Sequence, residues 1–153
     1  MANKNKGIWF YGLAGSGKTY ASIVVASKID RPFIIDGDAV RKYVSADLGH
    51  TYGDRCIQIR RIFGISLIAI KNGYFPIASS VLMNEEVLNM CKDHLIKVVE
   101  IQRPHNQLYI HRAIYKNNDN VVGKDIIQEQ LDTMKLSNDG DEKFGQEILR
   151  NVE

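Results

Sequence analysis

Short apolar segments alternate with longer amphipathic ones along most of the chain. The short segments are rich in β-branched or aromatic residues and are bounded by Gly, Pro or charged residues, which is typical of buried parallel strands. This pattern predicts strands at residues 7–11, 32–35, 75–79 and 97–102. The longer segments have the apolar spacing of helices, which predicts helices at residues 18–29, 54–72, 84–93 and 106–115.

The alternation of strands and helices predicts an α/β fold, in which a parallel sheet is covered by helices on both faces. Residues 131–136 are a candidate fifth strand, and residues 142–152 are a candidate closing helix. Residues 116–123 are polar and rich in turn formers, so we expect a mobile loop there. With 153 residues and no internal repeat or linker, the chain is expected to form a single domain, residues 1–153.

Composition and charge exclude several classes of function. The formal net charge of +2 is too small for the concentrated basic surface of a nucleic-acid-binding protein, so we expect no nucleic-acid partner. No apolar run approaches the roughly 18 residues of a membrane span, and the first residues are polar. We therefore expect a cytoplasmic protein without a membrane partner. Cys56 and Cys91 lie far apart in sequence and are expected to be ordinary reduced thiols.

The segment after the first predicted strand, Gly-Leu-Ala-Gly-Ser-Gly-Lys-Thr at residues 12–19, matches the P-loop pattern. Its glycines allow successive backbone amides to point at one anion, and the following helix adds the positive end of its dipole. Lys18 is expected to reach the β- and γ-phosphates of ATP, and Thr19 to bind the bridging Mg²⁺. The alternative is a glycine-rich turn without a ligand. The predicted ATP-binding residues here are Gly12, Ala14, Gly15, Ser16, Gly17, Lys18, Thr19 and Tyr20.

A cluster of two carboxylates and a guanidinium, Asp36-Gly37-Asp38-Ala39-Val40-Arg41, follows the second predicted strand. Open α/β sheets bind ligands at the carboxyl ends of their strands, and we expect this strand to be the neighbour of the P-loop strand. Asp38 is the first candidate for the base that accepts a hydroxyl proton, and Asp36 is expected to orient the water shell of Mg²⁺. Alternatively, Asp36 or Asp38 caps a helix that begins near Ala39, and Asp38 could do both.

The long predicted helix carries further basic residues. Arg55 and Gln58 are three positions apart and share one face, whereas Arg60 and Arg61 point in different directions. A guanidinium grips phosphate with two parallel hydrogen bonds, so any of these arginines could bind a nucleotide. The alternative for each arginine is an ordinary solvated surface charge.

These motifs, in this order and spacing, resemble the adenylylsulfate kinases. The matching motifs are the P-loop, Asp-Gly-Asp-x-Val-Arg at residues 36–41, Leu48-Gly49, Asp54-Arg55 and Ile59-Arg60-Arg61. The likeness covers about residues 7–138 and is densest before residue 62. It implies a P-loop kinase fold of about five strands and transfer of the γ-phosphoryl group of ATP to the 3′-hydroxyl of an acidic nucleotide. It also implies that Asp38 meets this hydroxyl, that Arg41 and Arg55 hold the phosphate of the acceptor, and that the protein is a homodimer.

The chain departs from the family pattern on the acceptor side. It has Leu48-Gly49-His50 where the family has Leu-Gly-Phe, Gln58 where the family has Asn, and Ser79-Ser80-Val81-Leu82 in place of a Ser-Pro-Phe-like segment. His50, Gln58, Ser79 and Ser80 are therefore predicted to bind an acceptor that differs from adenosine phosphosulfate. Cytidine diphosphoramidate, phosphorylated by relatives in capsule modification, is one such nucleotide.

A lid is expected at about residues 112–126. Residues 112–116 resemble a contracted form of the family's Arg-Asp-x-Lys-Gly-Leu-Tyr block, so Arg112 is predicted to contact ATP and Lys116 the acceptor. An alternative register places Arg103 and Leu108-Tyr109 in this block. Residues 120–126 resemble the segment that closes over the nucleotides in a bacterial branch of the family. Two other functions stay open, namely a P-loop kinase of a non-nucleotide metabolite and a nucleotide-binding module without catalysis.

Overall fold

The computed structural model describes residues 4–104, 120–140 and 142–152. Within these ranges the chain forms a five-stranded parallel sheet with the strand order β2-β3-β1-β4-β5. The strands are β1 (Gly7–Tyr11), β2 (Pro32–Ile35), β3 (Phe75–Ser80), β4 (Ile96–Gln102) and β5 (Met134–Ser137). The helices are α1 (Lys18–Ala26), α2 (Gly37–Tyr43), α3 (Tyr52–Lys71), α4 (Glu85–Asp93) and α5 (Glu142–Val152). The predicted α/β class is confirmed.

Helices cover both faces of the sheet, as the alternation of side chains along β1 requires. Ile8 and Phe10 share a buried cluster with residues of α1 and α5. Trp9 and Tyr11 point to the opposite face and share a second cluster with residues of α3 and α4. All four side chains are almost completely buried, because a central parallel strand has helices on both sides.

Most predicted boundaries lie within a few residues of the observed ones, and caps explain several differences. Residue 54 was the predicted start of α3, but Thr51 accepts a hydrogen bond from the Asp54 amide, so the helix begins at Tyr52. The Asn84 side chain likewise accepts from the Val87 amide, so α4 begins one residue after its predicted start. The fifth strand begins at Met134 rather than at Leu131, whose side chain is buried in the core before the strand starts. The predicted helix at 106–115 lies outside the described residues.

The predicted adjacency of the first two strands is wrong. β3 pairs with both β1 and β2 and lies between them, so the chain after β2 crosses back to the middle of the sheet. The Asp36 segment at the end of β2 therefore contacts the end of β3. The Ser79 hydroxyl lies 3.4 Å from both the Gly37 amide nitrogen and Asp36 Oδ1, and a β-carbon on Gly37 would lie 2.9 Å from the Ser79 carbonyl oxygen.

The alternative role of the acidic pair, in which Asp36 or Asp38 caps a helix, agrees with the structure in position but not in hydrogen bonding. Asp36 occupies the N-cap position of α2, but its side chain makes no capping hydrogen bond, because it is directed toward the Ser79 hydroxyl. Asp38 lies inside the first turn of α2, where its negative charge is favourable near the helix N-terminus. Neither carboxylate is therefore occupied by capping the helix.

The two cysteines have different environments. Both are free thiols; Cys91 is a fully buried residue of α4, and burial raises its pKa to about 12. Cys56 is partly exposed on α3, where the Asn84 side chain lies 3.5 Å from its sulfur. Among the described residues we find no helix with the length and apolar character that a membrane span requires.

We expect an alkylating reagent at mildly alkaline pH to modify Cys56 and to leave Cys91 unmodified in the native protein. The thiolate is the reactive form, and the buried Cys91 thiol is neither ionised nor accessible. Mass spectrometry of peptides before and after unfolding measures this difference. Equal labelling of the two thiols in the native state would contradict the packing of Cys91.

Candidate active site

A cavity of about 670 Å³ lies at the carboxyl ends of the central strands, and most of the predicted site residues line it. The P-loop, the start of α2 and the first half of α3 contribute to its wall, as does the end of β3. Its lining residues are up to 108 positions apart in sequence, counting from Ala14 to Val122. The predicted residues that line it are Ala14, Gly15, Gly17, Lys18, Thr19, Asp36, Asp38, Arg41, His50, Arg55, Gln58, Ser79 and Ser80.

The P-loop has the backbone that an anion cradle needs. Gly15 and Gly17 have φ angles of 86° and 111°, in the left-handed region that favours glycine. Gly17 also lies against Asn138, whose side-chain nitrogen donates to the Ser16 carbonyl at 2.7 Å and would lie 2.5 Å from a β-carbon on Gly17. Lys18 Nζ donates to the carbonyl oxygens of Gly12 at 2.7 Å and Leu13 at 3.0 Å. The lysine ammonium is thus held at the loop, beside the uncapped N-terminus of α1.

Three predicted ATP-binding residues lie elsewhere. Gly12 and Ser16 line a second cavity of about 550 Å³, on the side of the P-loop that faces the ends of β4 and β5. Ser16 is almost fully buried, and its hydroxyl has no hydrogen-bond partner within the described ranges. The Tyr20 ring stacks on Phe144 of α5, with 5.9 Å between ring centroids, and lines neither cavity. The contact of Tyr20 with ATP stays a prediction.

Two arginines converge on the first cavity. Arg41 Nη1 donates to the Gly49 carbonyl, and Arg55 donates to the carbonyl oxygens of His50 at 3.1 Å and Asn120 at 3.0 Å. Burial lowers the pKa of both guanidinium groups, and the charge of Arg41 lowers the pKa of Arg55 further. Among the described residues, neither forms a close ion pair with a carboxylate. The two charges therefore favour an anion in this cavity.

The His50 ring, which lines the same cavity, is neutral at physiological pH. Burial lowers its pKa below the ordinary value of 6.5, and the positive charges of Arg41 and Arg55 lower it further, while Asp54 opposes them. A neutral imidazole adds no third positive charge to the cavity and presents a flat face on which a nucleobase can stack.

The other two arginines of α3 form ion pairs on the surface and point to different partners, in agreement with their predicted divergence. Arg60 pairs with Glu86 of α4 at 2.5 Å, and Arg61 pairs with Asp47 at 2.7 Å. Each lies outside the cavity. Arg60 and Arg61 are thus the surface charges that the sequence left as an alternative.

The polar side chains at the back of the cavity differ in the hydrogen bonds that they already make within the protein. Ser80 Oγ accepts from Trp9 Nε1 at 2.8 Å and donates to the Leu82 carbonyl at 2.7 Å. Its hydroxyl therefore makes structural hydrogen bonds within the protein. Gln58 Nε2 donates to the Gly37 carbonyl at 3.1 Å, which supports the backbone between the two aspartates. Gln58 Oε1 is buried and has no hydrogen-bond partner in the part of the chain that the structure describes.

The end of the predicted lid packs on the P-loop. Val121 and Val122 are buried and line the first cavity, and Val121 packs against Leu13 and Ala14. Gly123 has a φ of 91° and would place a β-carbon 2.8 Å from the Leu13 side chain. Within the expected mobile loop 116–123, residues 121–123 are thus packed rather than exposed. Sequence analysis did not identify these valines as residues that pack on the P-loop, although two adjacent valines in a polar segment are a signal of burial.

The remaining lid predictions are divided between the two registers. Arg112 and Lys116 lie outside the described residues, so their roles stay predictions. Arg103, which the alternative register placed in the block, lines both cavities, and its Nη1 donates to the Gly15 carbonyl at 3.2 Å. A guanidinium at this position lies between the P-loop and the second cavity, where it could contact a bound nucleotide.

Comparison with known proteins agrees with these motifs. The family model for adenylylsulphate kinase matches residues 4–117. The chain belongs to the adenylylsulphate kinase family. The adenylyl-sulfate kinase of Bacteroides thetaiotaomicron is 32% identical over 100 residues, which cover 60% of this chain and 50% of that protein. The adenylyl-sulfate kinase of Picosynechococcus sp. is 31% identical over 105 residues, which cover 66% of this chain and 59% of that protein. The matches thus span about half the length of these relatives.

Solved structures of family members and of other kinases share the fold. The APS kinase CysC of Mycobacterium tuberculosis, in complex with AMPPNP and APS, superimposes with a TM-score of 0.83 at 21% identity, covering 97% of this chain and 98% of that one. The shikimate kinase of Aquifex aeolicus gives a TM-score of 0.60 at 18% identity, covering 95% and 94%. Since kinases of unrelated acceptors have this fold, the acceptor has to be argued from the site itself.

Proposed function

We propose that this protein is a kinase that transfers the γ-phosphoryl group of ATP to the 3′-hydroxyl of a nucleotide that carries an acidic group. One observation carries the proposal: Lys18 and Thr19 of the P-loop, the pair Asp36 and Asp38, and the arginine Arg55 line a single cavity. A phosphate donor, a base and a site for a second anion are the three parts that such a transfer needs.

The donor half consists of the P-loop and the second cavity. The amides of residues 12–19 and the N-terminus of α1 bind the phosphates of ATP, and Lys18 neutralises the charge that develops on the transferred group. The second cavity, next to Arg103 and Ser16, takes the nucleoside of ATP. Its volume of about 550 Å³ is within the usual range of small-molecule sites.

The donor residues fit Mg²⁺. Thr19 provides a hydroxyl and Asp36 a carboxylate at the same cavity, and Mg²⁺ commonly takes one or two protein oxygens while phosphate and water complete its shell. When bound, Mg²⁺ would neutralise charge on the β- and γ-phosphates. Thr19 would bind it directly, and Asp36 would hold it through water.

The acceptor half consists of Arg41, Arg55 and His50. The two guanidinium groups bind the phosphate of the acceptor, and the neutral His50 ring packs on its base. Asp38 orients the 3′-hydroxyl and takes its proton as the oxygen bonds to the γ-phosphorus. The bond between that phosphorus and the β–γ bridging oxygen breaks, and ADP leaves with the electron pair. Because donor and acceptor are held in line, most of the rate enhancement comes from position and electrostatics.

A screen of acceptors tests this function. The protein is incubated with ATP, Mg²⁺ and a nucleotide panel that includes adenosine phosphosulfate and cytidine diphosphoramidate, and products are analysed by mass spectrometry. We expect one nucleotide to gain about 80 mass units, the mass of a phosphoryl group. If only a sugar or another non-nucleotide metabolite is phosphorylated, the protein is a kinase of that metabolite and the nucleotide proposal is wrong. If ATP binds and no product forms, the protein is a nucleotide-binding module without catalysis.

The departures at His50 and Gln58 favour cytidine diphosphoramidate as a second candidate acceptor beside adenosine phosphosulfate. His50 offers a smaller aromatic face than phenylalanine, and Gln58 carries its amide one methylene further from the backbone than asparagine does. We also propose that residues 1–153 act as one kinase domain, that the protein is cytoplasmic, and that it forms a homodimer. Light scattering coupled to size-exclusion chromatography tests the last point.

We expect the substitution Arg55→Ala to raise the KM for the acceptor roughly 10- to 100-fold while the KM for ATP changes little. A charge-assisted hydrogen bond contributes about 1.5–3 kcal/mol, and that energy is lost only on the acceptor side. Initial rates with either substrate varied measure the two KM values. Arg61→Ala is the matched control, because Arg61 is on the same helix but pairs with Asp47 outside the cavity. An equal rise in both KM values would argue against an acceptor role.

A further inference from the structure

The peptide unit between Ser16 and Gly17 of the P-loop has one occupied and one open hydrogen-bonding group. The Ser16 carbonyl oxygen accepts a hydrogen bond from Asn138 Nδ2 at 2.7 Å. The Gly17 amide has no hydrogen-bond partner among the described residues. The preceding peptide differs, because the Ser16 amide donates to the Leu13 carbonyl oxygen at 3.0 Å within the loop. The Gly17 amide therefore remains for a bound anion.

The planarity of this peptide unit determines where the open amide points. In a trans peptide the C=O and N–H bonds point in opposite directions. A Ser16 carbonyl that is held toward Asn138 therefore directs the Gly17 N–H away from Asn138. Gly17 lines the first cavity, whereas Asn138 lines neither cavity. The Gly17 N–H is thus directed to the side of the P-loop that faces the first cavity.

Asn138 is itself held on three sides. Its backbone amide donates to the Gln102 carbonyl oxygen at 2.7 Å, just beyond the end of β5, and its Oδ1 accepts from the Gly140 amide at 3.0 Å. A flipped side-chain amide would oppose two N–H groups at Gly140 and two oxygens at Ser16, so Nδ2 is the atom that faces Ser16. The close approach requires a glycine, because Nδ2 would lie 2.5 Å from a β-carbon on Gly17.

We propose that Asn138 is a positioning residue of the donor site, which fixes the peptide unit between Ser16 and Gly17 so that the Gly17 amide donates to a phosphate of ATP. The inference rests on the proposed function and deepens its donor half. An amide that is oriented before the ligand arrives binds phosphate without the cost of turning the peptide. Since Ser137 and Asp139 line the second cavity, Asn138 also connects the wall of that cavity to the P-loop.

Asn138→Ala removes the hydrogen bond and leaves the peptide free to turn. The dissociation constants of ADP and adenosine are measured with Mg²⁺ by displacement of a labelled ATP analogue, so that both values report on the donor site. We expect the constant for ADP to rise about tenfold and that for adenosine to stay within about twofold, because adenosine has no phosphate for the Gly17 amide to bind. A change in the second cavity would weaken both ligands equally.

Asn138→Asp keeps the size of the side chain and makes its donor depend on pH. As a carboxylate it opposes the Ser16 carbonyl oxygen, whereas as a carboxylic acid it can donate its O–H. As the pH falls, its ADP constant relative to wild type should fall below the value for Asn138→Ala at the same pH. Relief of charge repulsion alone would only reach the alanine value. The ratio for adenosine should not change with pH, so this variant tests the inference even if Asn138→Ala does not fold.

Asn84→Ala is the matched control for lost stability. The Asn84 side chain also bonds a backbone group, the Val87 amide, but it lines neither cavity. Its loss should lower the midpoint of thermal unfolding and leave the ADP constant within about twofold of wild type. A comparable rise of the ADP constant in Asn84→Ala would assign the effect of Asn138→Ala to stability and overturn the inference.

Three further results would overturn the inference while leaving the proposed function intact. They are an unchanged ADP constant in Asn138→Ala, equal weakening of ADP and adenosine, and an Asn138→Asp variant that never binds ADP better than Asn138→Ala. If no nucleotide accepts a phosphoryl group although the expected loss of ADP binding is found, the proposed function is refuted and the role of Asn138 in phosphate binding stands. If ADP does not displace the analogue from the wild-type protein, both are refuted.

Discussion

Replacing Lys18 with alanine is expected to abolish phosphoryl transfer from ATP. The Lys18 ammonium is anchored at the P-loop by the Gly12 and Leu13 carbonyl oxygens, at the point where the β- and γ-phosphates would enter. In the transition state negative charge spreads over the transferred group, and a fixed ammonium in a site that excludes water stabilises it strongly. We expect a loss of roughly 10³-fold or more in kcat, measured by the release of ADP with the best acceptor at saturation.

Lys28→Ala is the matched control for this loss. Lys28 is exposed in the turn after α1 and lines neither cavity, so its removal should leave the rate unchanged within about twofold. A thermal unfolding curve for Lys18→Ala separates lost chemistry from lost structure. Undiminished turnover in Lys18→Ala would refute the assignment of the P-loop as the donor site.

The fold was largely predictable because its determinants are local. Alternation between β-branched strands and amphipathic helices placed β1, β2 and α5 at their observed bounds. The order of the strands is not local information. Placing β2 next to β1 was wrong because β3, about 40 residues further along the chain, pairs with both strands. No pattern within the segment of β2 could reveal this arrangement.

In the candidate site, too, the residues set by local sequence were predictable and those set by long-range contacts were not. The P-loop and the aspartate pair were recognisable because each lies within eight consecutive residues, whose spacing alone fixes their geometry. His50 and the serines of β3 entered only through the family resemblance, whereas helical spacing had already placed Gln58 on the same face as Arg55. The cavity brings all of them together. Contacts across long separations escaped prediction. They include the hydrogen bond of Arg55 with Asn120 and the packing of Val121 on the P-loop.

The substitution Asp38→Asn is expected to reduce kcat by roughly 10²- to 10⁴-fold while ATP still binds. Asparagine has nearly the same size as aspartate, but its amide cannot take the proton of the attacking hydroxyl. The competing explanation is that Asp38 only stabilises the start of α2, in whose first turn it lies. That role contributes about 0.3–1 kcal/mol to stability and little to the rate. Single-turnover kinetics and binding of an ATP analogue measure the two effects separately.

Asp47→Asn provides the control for removing a carboxylate. Asp47 is exposed, pairs with Arg61 outside the cavity, and has its pKa lowered by that hydrogen bond. Asp47→Asn should therefore remove a surface ion pair and change the rate little. The loss of stability should also be small, because exposed ion pairs contribute little to stability. If Asp38→Asn behaves like Asp47→Asn, with an unchanged rate, Asp38 is a structural residue of α2. The proton of the 3′-hydroxyl must then go to another group that lines the cavity, of which Asp36 is the remaining carboxylate among the described residues.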